Sequence, residues 1–159
     1  MKYLALFVFG MALLGCNSSK NANGEDTFGN TSDTLNSAVI SFEQTACYGT
    51  CPVHKLIIYS NGEAVYVASR HTELIGTFTS QFTKSEIQEI FSKANELNFY
   101  AAENEYTAPM TDLPTSILFV NDGAKSKSVS AYGEYPDSIT SFINYFTQII
   151  DSKKWVKVE

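Results

Sequence analysis

The folded part of the chain opens with alternating apolar and polar residues. Ile40 and Phe42 alternate with polar neighbours, which is the two-residue period of a half-buried strand beginning near residue 38. Residues 53–59 are rich in β-branched and aromatic types and indicate a central strand, and residues 63–69 alternate again. Asn61-Gly62 stands between these two runs and tolerates the positive φ angles of a tight hairpin turn. Residues 73–79 suggest a further strand, although Gly76 interrupts it.

After residue 82 the spacing of apolar residues changes from the two-residue period of a strand to that of a helix. Thr83 and Glu86 form the spacing of a capping box, which predicts a helix that begins there and ends near Asn98. Pro136 opens a second helical stretch, because proline suits the first turn of a helix. Each helix carries one apolar stripe. The first stripe is Ile87, Ile90, Phe91, Ala94 and Leu97, and the second is Ile139, Phe142, Ile143, Phe146, Ile149 and Ile150.

Two more strands are predicted between the helices, at residues 116–120 and 125–130, with Asn121-Asp122-Gly123 as their turn. The second of these strands is polar on both faces except at Val129, so we expect it at an edge of the sheet. Trp155 in the tail would fold back to cover a sheet edge. These elements predict an α+β fold with the order ββββαββα: a single antiparallel sheet of about six strands, with two helices packed on one face.

The segment before Cys16 has the pattern of a targeting signal. Lys2 precedes an apolar run at residues 3–14, which is shorter than the roughly 20 residues needed to span a bilayer. Leu13-Leu14-Gly15-Cys16 resembles the bacterial lipobox, in which the cysteine receives a diacylglyceryl group and cleavage follows before it. The resemblance implies that Cys16 becomes a lipidated N-terminus that carries acyl chains such as palmitate. An ordinary secretory signal with an incidental cysteine is the alternative.

The resulting organisation is a signal peptide at residues 1–15, a flexible tether at residues 16–37 and an α+β domain at residues 38–159. The tether is polar and poor in apolar residues, so it cannot bury enough surface to fold. Residue 17 is Asn and not Asp, which favours the outer membrane in the usual sorting of lipoproteins. We therefore expect a protein of the cell envelope that contacts the membrane through its lipid.

Composition narrows the possible partners. The chain has 17 acidic and 11 basic residues, a formal net charge of −6, and no basic stripe. Nucleic acid is therefore not an expected partner. The eleven Phe and nine Tyr supply enough apolar surface for a core.

Cys47 and Cys51 are the two cysteines of the predicted domain and could form a disulfide or act as reactive thiols. If Cys16 carries lipid, these two cysteines remain, in a compartment that permits disulfides. Gly49 and Thr50 lie between them and let the chain bend enough to bring the sulfurs together. We expect a structural disulfide that fixes how the first strand enters the second. Thiol redox chemistry is an alternative, although the spacing is not Cys-x-x-Cys.

A second alternative is a copper site. Cys-x-x-x-Cys-Pro at residues 47–52 resembles the motif of Sco-type copper chaperones, which add a histidine, and His54 would be the third ligand here. Those proteins have a thioredoxin fold, and this chain lacks the βαβ pattern of that fold. Otherwise His54 is a strand residue that faces solvent or the sheet rim. Glu103, Glu105 and Asp112 in the long connection offer an acid/base pair for hydrolysis, but loop carboxylates are usually solvated.

Three segments together resemble a bacterial family known as domain of unknown function 6438. They are residues 47–62, which begin with Cys-Tyr-Gly-Thr-Cys-Pro, Asn-Phe-Tyr at residues 98–100, and Thr-Asp-Leu-Pro-Thr at residues 111–115. The resemblance spans roughly residues 38–155 and implies the α+β fold and export as a lipoprotein, but no activity. It directs attention to a candidate functional surface where the cysteine and Thr-Asp segments meet, made of Tyr48, Thr50, His54, Thr111 and Asp112.

The sequence thus predicts a lipid-anchored envelope protein whose domain binds a protein or a small-molecule ligand without a cofactor. No nucleophile elbow, phosphate loop, zinc helix or calcium loop is present in the sequence, which favours a non-enzymatic role. The alternative is a periplasmic copper-binding or thiol-redox protein that uses the Cys-x-x-x-Cys-Pro motif.

Overall fold

Residues 37–159 are the part of the chain that the computed structural model describes. Four strands come first: β1 (Ala38–Gln44), β2 (Val53–Tyr59), β3 (Glu63–Arg70) and β4 (Gly76–Gln81). Helix α1 (Lys84–Glu96) and a 3₁₀ turn (Phe99–Ala101) follow. The second half contains β5 (Glu105–Tyr106), β6 (Thr115–Asn121), β7 (Ser126–Tyr132), helix α2 (Asp137–Ser152) and β8 (Val156–Lys157). The predicted signal peptide, tether and lipidated Cys16 lie outside the described residues.

The strands form one mixed sheet in the order β5-β7-β6-β1-β2-β3-β4-β8. The six longer strands pair antiparallel, and β1 lies at the centre between β2 and β6. β8 pairs antiparallel with β4, whereas β5 pairs parallel with β7. The central pairing of β1 with β6 joins the two halves of the chain, so neither half completes the sheet alone.

One face of the sheet is buried under both helices. Phe146 of α2 stacks on Phe42 of β1 with ring centroids 5.3 Å apart. The helices also contact each other, because Lys153 at the end of α2 pairs with Glu86 of α1 at 2.6 Å. The fully buried side chains of sheet and helices form a single hydrophobic cluster. Its largest members are Phe42, Phe99, Phe142, Phe146, Ile40, Leu56, Ile58, Ile90, Leu118 and Ile139.

The α+β class and the order of the six longer strands and two helices agree with the prediction, but the predicted sheet was wrong in two respects. It has eight strands and not six, and it is mixed because β5 runs parallel to β7. The added strands have only two residues each, which is too short to show a two-residue period. β7 is consequently covered by β5 and is not an edge strand. The strand predicted at residues 73–79 begins at Gly76 and continues to Gln81.

Helix α1 has the start that its sequence predicts. Thr83 Oγ1 accepts from Glu86 N at 3.2 Å, and Glu86 Oε2 accepts from Thr83 N at 2.7 Å, so both halves of the capping box are present. Within residues 37–159 no helix is both long and apolar enough to cross a membrane.

Candidate functional site

His54 is a polar residue on the buried face of the sheet. It lies near the start of β2, where strand alternation places it on the same face as Leu56 and Ile58, and it is only 7% exposed. Its ring centroid is 5.3 Å from that of Phe42 and 5.6 Å from that of Tyr66. The interpretation of His54 as a solvent-facing or rim residue was therefore wrong, because strand alternation turns its ring to the core face, beside Phe42 and Tyr66.

Gln44 is the hydrogen-bond partner of the His54 ring. Its Nε2 donates to Ser116 Oγ at 3.3 Å, and its Oε1 lies 3.0 Å from His54 Nε2. With the amide in this orientation its oxygen only accepts, which places the proton of the neutral imidazole on Nε2 and leaves a lone pair on Nδ1. Nδ1 is buried and has no hydrogen-bond partner among the residues described. A buried acceptor without a donor is a costly arrangement in a folded protein and is uncommon.

Burial shifts the titration of both polar rings here. It lowers the pKa of His54 below the ordinary value, and the charge of Asp151 opposes this effect in part. Burial, together with the charge of Asp151, raises the pKa of Tyr66 to about 12. Both groups are therefore neutral at pH 7, and the nearby negative charge belongs to Asp151. Perturbed groups of this kind cluster at functional sites.

These residues line a cavity of about 690 Å³. Three parts of the fold build it: strands β1 to β3, the connection between β3 and β4, and the end of α2 with the tail. The strands and the residue before β2 contribute Gln44, Pro52, His54 and Tyr66; the connection contributes His71, Thr72, Glu73 and Leu74; α2 and the tail contribute Thr147, Ile150, Asp151, Lys153 and Trp155.

Trp155 forms an aromatic wall of the cavity. Its ring centroid lies 5.2 Å from that of Tyr66, and its Nε1 donates to Ile150 O at 2.9 Å. The tail is held in place because Ser80 Oγ donates to Lys154 O at 2.8 Å and β8 pairs with β4. Trp155 thus lies against the core face and not over the sheet edge as predicted; the neighbouring strand β8 covers that edge.

The positive charge at the cavity is paired within the described part of the protein, whereas the negative charges are not. Lys153 is committed to Glu86 at 2.6 Å, and its Nζ lies 4.1 Å from the centroid of the Phe82 ring. The hydrogen bonds that Glu86 accepts from Lys153 and from the Thr83 backbone lower the pKa of Glu86. Glu73 and Asp151 are exposed and form no ion pair within residues 37–159. The cavity therefore retains two uncompensated carboxylates.

The predicted disulfide is present. Cys47 and Cys51 are bonded, with their Cα atoms 5.8 Å apart. In this state neither sulfur is a thiolate ligand, and His54 Nε2 is already engaged with Gln44. No group of three or more His, Cys, Asp or Glu residues suited to a metal occurs in the described part of the chain. The copper alternative stays a prediction for the reduced protein, and copper uptake that is lost in Cys47→Ser would support it.

The structure brings together the two segments that carry the predicted functional surface. Tyr48 N donates to Asp112 O at 3.3 Å, and Thr111 Oγ1 donates to Asp112 Oδ1 at 3.1 Å. Tyr48 is 91% exposed, and Thr50 is exposed beside it. Of the candidate residues, His54 lines the cavity, whereas Tyr48, Thr50, Thr111 and Asp112 lie outside it. Glu103 and Glu105 are exposed and do not line it either.

Sequence reasoning missed most of the cavity. Gln44, Tyr66, Asp151 and Trp155 come from β1, β3, α2 and the tail, which only the fold brings together. One signal was available: Gln44 shares the parity of Ile40 and Phe42, and His54 that of Leu56 and Ile58. Two polar residues on the core face of adjacent strands, at the same end, indicate a polar opening in the core.

The comparison with protein families gives a match for most of this domain. A family model described as "Domain of unknown function (DUF6438)" matches residues 38–150, more than half of the 159 residues. Asp151, Lys153 and Trp155, which complete the cavity, follow directly after the matched range. No curated protein matches the chain. The match identifies the chain as a member of the DUF6438 domain family.

Proposed function

We propose that this chain is a lipid-anchored protein of the cell envelope whose domain binds a small organic molecule, without catalysis, in the cavity floored by His54. The observation that carries the proposal is the buried His54 beside Tyr66 and Trp155 in a cavity of about 690 Å³. Small-molecule sites are typically concave, of about 300–1,000 Å³, and mostly apolar with a few convergent polar groups. This cavity lies within that range of volume, and its wall combines the Trp155 ring with more polar side chains than such sites usually have.

The hydroxyl groups of the cavity favour binding over catalysis. Thr72 Oγ1 donates to Leu74 O at 2.7 Å, and Thr147 Oγ1 donates to Ile143 O at 3.1 Å. A hydroxyl nucleophile must instead donate to a general base. The raised pKa of Tyr66 keeps its phenol protonated at neutral pH. These side chains therefore support recognition and not covalent chemistry.

The anchor is supported by sequence alone. Cys16 follows the lipobox-like Leu13-Leu14-Gly15, and Asn17 favours outer-membrane sorting. Mass spectrometry of the protein extracted from membranes tests this: we expect an N-terminus at Cys16 with covalent acyl chains, and soluble export or retention of the signal in Cys16→Ala. A mature N-terminus elsewhere, without lipid, would refute the anchor while leaving the binding proposal untouched.

Trp155 makes the binding proposal measurable, because it is the only tryptophan of the chain and lies in the cavity wall. We expect a panel of small amines, carboxylic acids, alcohols and sugars to contain compounds that change its fluorescence saturably. His54→Phe fills the polar opening and should abolish the response, whereas Tyr48→Ser, outside the cavity, should preserve it. A panel without any saturable response in the wild type would contradict the proposal.

A protein partner at the disulfide loop is a second candidate, favoured by one observation. Tyr48 is 91% exposed on a loop held by the Cys47–Cys51 bond and by Asp112, and rigid exposed Tyr is common in protein interfaces. A photoreactive phenylalanine analogue at position 48 should form a discrete crosslinked adduct in cells. The same analogue at Gln88, exposed on α1, is the control, and equal adducts at both positions would speak against a specific surface.

A further inference from the structure

We infer that the ligand of the His54 cavity is an organic cation: a protonated amine, with N–H donors, attached to a small apolar body. The inference rests on the proposed binding function and adds the chemical class of the ligand. Three independent features of the cavity point to it: the charge of the wall, the state of its hydrogen-bonding groups and its aromatic surface.

The charge of the wall is negative. Glu73 and Asp151 contribute two carboxylates that form no ion pair within residues 37–159. Lys153 is the one lining residue with a fixed positive charge among those described, and its Nζ is held by Glu86 at 2.6 Å. Glu86 does not line the cavity, so the lysine charge is balanced from outside. A ligand cation would compensate the two remaining carboxylates, whereas an anion would be repelled.

The donors of the wall are already used inside the protein. Gln44 donates to Ser116, Thr72 to Leu74 O, Thr147 to Ile143 O and Trp155 to Ile150 O. The Tyr66 hydroxyl and the His71 ring are the remaining neutral groups that could donate. A ligand that needs several donors, such as a carboxylate or phosphate, therefore finds few of them here.

Several hydrogen-bond acceptors of the cavity wall have no donor within the described residues. His54 Nδ1 has a lone pair without a donor among the described residues, and the carboxylates of Glu73 and Asp151 only accept. A protonated primary amine has three N–H donors and satisfies such a set, which a quaternary ammonium cannot do. His54 is 7% exposed and its Nδ1 has almost no exposed surface, so an amine reaches that nitrogen only if the neighbouring side chains move. The carboxylates of Glu73 and Asp151 are exposed and need no such movement.

The aromatic rings complete the recognition. The ring centroids of Tyr66 and Trp155 lie 5.2 Å apart at an interplanar angle of 31°. Tyr66 is only 2% exposed, so the partly exposed Trp155 supplies the ring surface that a ligand can contact. Such faces attract cations, and Trp does so most strongly. They also bury the apolar body that a small amine carries. The chemistry of the wall thus matches an aryl- or alkylamine better than a free inorganic cation.

A matched series of probes tests the inference: 2-phenylethylammonium, 2-phenylethanol and phenylacetate share one body and differ in charge. The full chain, purified from membranes in a non-ionic detergent, is titrated at pH 7.5 with Trp155 fluorescence as readout. We expect the cation to bind at least tenfold more tightly than the alcohol, and the anion not to bind. An alcohol or anion that binds as tightly as the cation would overturn the inference, although the proposed binding function would stand.

Charge variants locate the effect. Asp151→Asn and Glu73→Gln should each weaken binding of the cation several-fold and leave binding of the alcohol unchanged. Glu134→Gln makes the same change of net charge at an exposed site outside the cavity and should affect neither. Equal losses in all three variants would overturn the site assignment. If only uncharged or anionic compounds of the wider panel bind, the inference fails alone; if no compound of the panel binds, the proposed function fails with it.

Discussion

At the residue scale, two glycines distinguish the cost of a positive φ angle from the cost of a steric clash when each is replaced by alanine. Gly62 and Gly123 both lie in hairpin turns, with φ angles of +86° and +89°. A Cβ on Gly62 would lie 2.3 Å from Phe82 O, whereas one on Gly123 would meet nothing within 4 Å. We expect Gly123→Ala to lower the free energy of unfolding by about 1–2 kcal/mol through φ alone. Gly62→Ala should cost at least about 1 kcal/mol more. Urea unfolding measures both, and equal losses would contradict the clash.

His54 makes the stability of the fold depend on pH. Its pKa in the fold is lowered from 6.5 by burial, so below about pH 6.5 the unfolded chain binds a proton that the folded chain does not. The free energy of unfolding is therefore intact above that pH and falls as the pH decreases toward the folded-state pKa. His54→Gln should flatten this decline between pH 8 and 5.5. Asp151→Asn should steepen it, because Asp151 raises the pKa of His54. An unchanged slope in His54→Gln would contradict the assignment.

At the element scale, the disulfide sets the entry of the chain into β2. It closes a loop of about five residues between β1 and β2, which should contribute about 2 kcal/mol by loop entropy. We expect the Cys47→Ser/Cys51→Ser variant to lose about that free energy of unfolding and to become insensitive to reductant. The wild type in reductant should match the variant. A wild type that reductant leaves unchanged would show that the bond contributes nothing to stability.

The start of α1 depends on a single threonine side chain. Thr83 Oγ1 accepts from Glu86 N at 3.2 Å, and its replacement leaves that amide without its cap. Thr83→Ala should lower the free energy of unfolding by about 1 kcal/mol. Ser85→Ala, at an exposed position in the same turn, is the matched control and should be nearly neutral. Equal effects of the two substitutions would argue against the capping box.

At the scale of the whole molecule, the tail closes both the sheet and the cavity. Val158 N donates to Thr77 O at 2.8 Å, β8 covers β4, and Trp155 covers Tyr66. Removal of residues 155–159 should lower the free energy of unfolding by at least about 2 kcal/mol. It should also promote self-association through the exposed β4 edge. Far-UV circular dichroism and sedimentation test this, with removal of residue 159 alone as the control. A monomer of unchanged stability would contradict it.

The amino-acid sequence by itself determined most of the local structure. The two-residue and helical periods predict the six longer strands and both helices, and Thr83 with Glu86 predicts where α1 begins, because these signals arise from contacts within a few residues. The spacing of Cys47 and Cys51 predicts their bond for the same reason. The family resemblance rested on local motifs as well, and the match over residues 38–150 agrees with it.

Only the tertiary structure decided the strand order, the mixed sheet and the cavity. The two-residue strands β5 and β8 exist because a neighbouring strand offers them hydrogen bonds, and neither has a pattern of its own. His54 is buried because Phe42 and Tyr66 from the two neighbouring strands lie beside its ring, and its hydrogen-bond partner Gln44 also comes from a different strand. Asp151 and Trp155 reach it from the far end of the chain. Contacts between residues so far apart in the sequence depend on how the elements pack, and the local spacing of apolar residues carries no information about that packing.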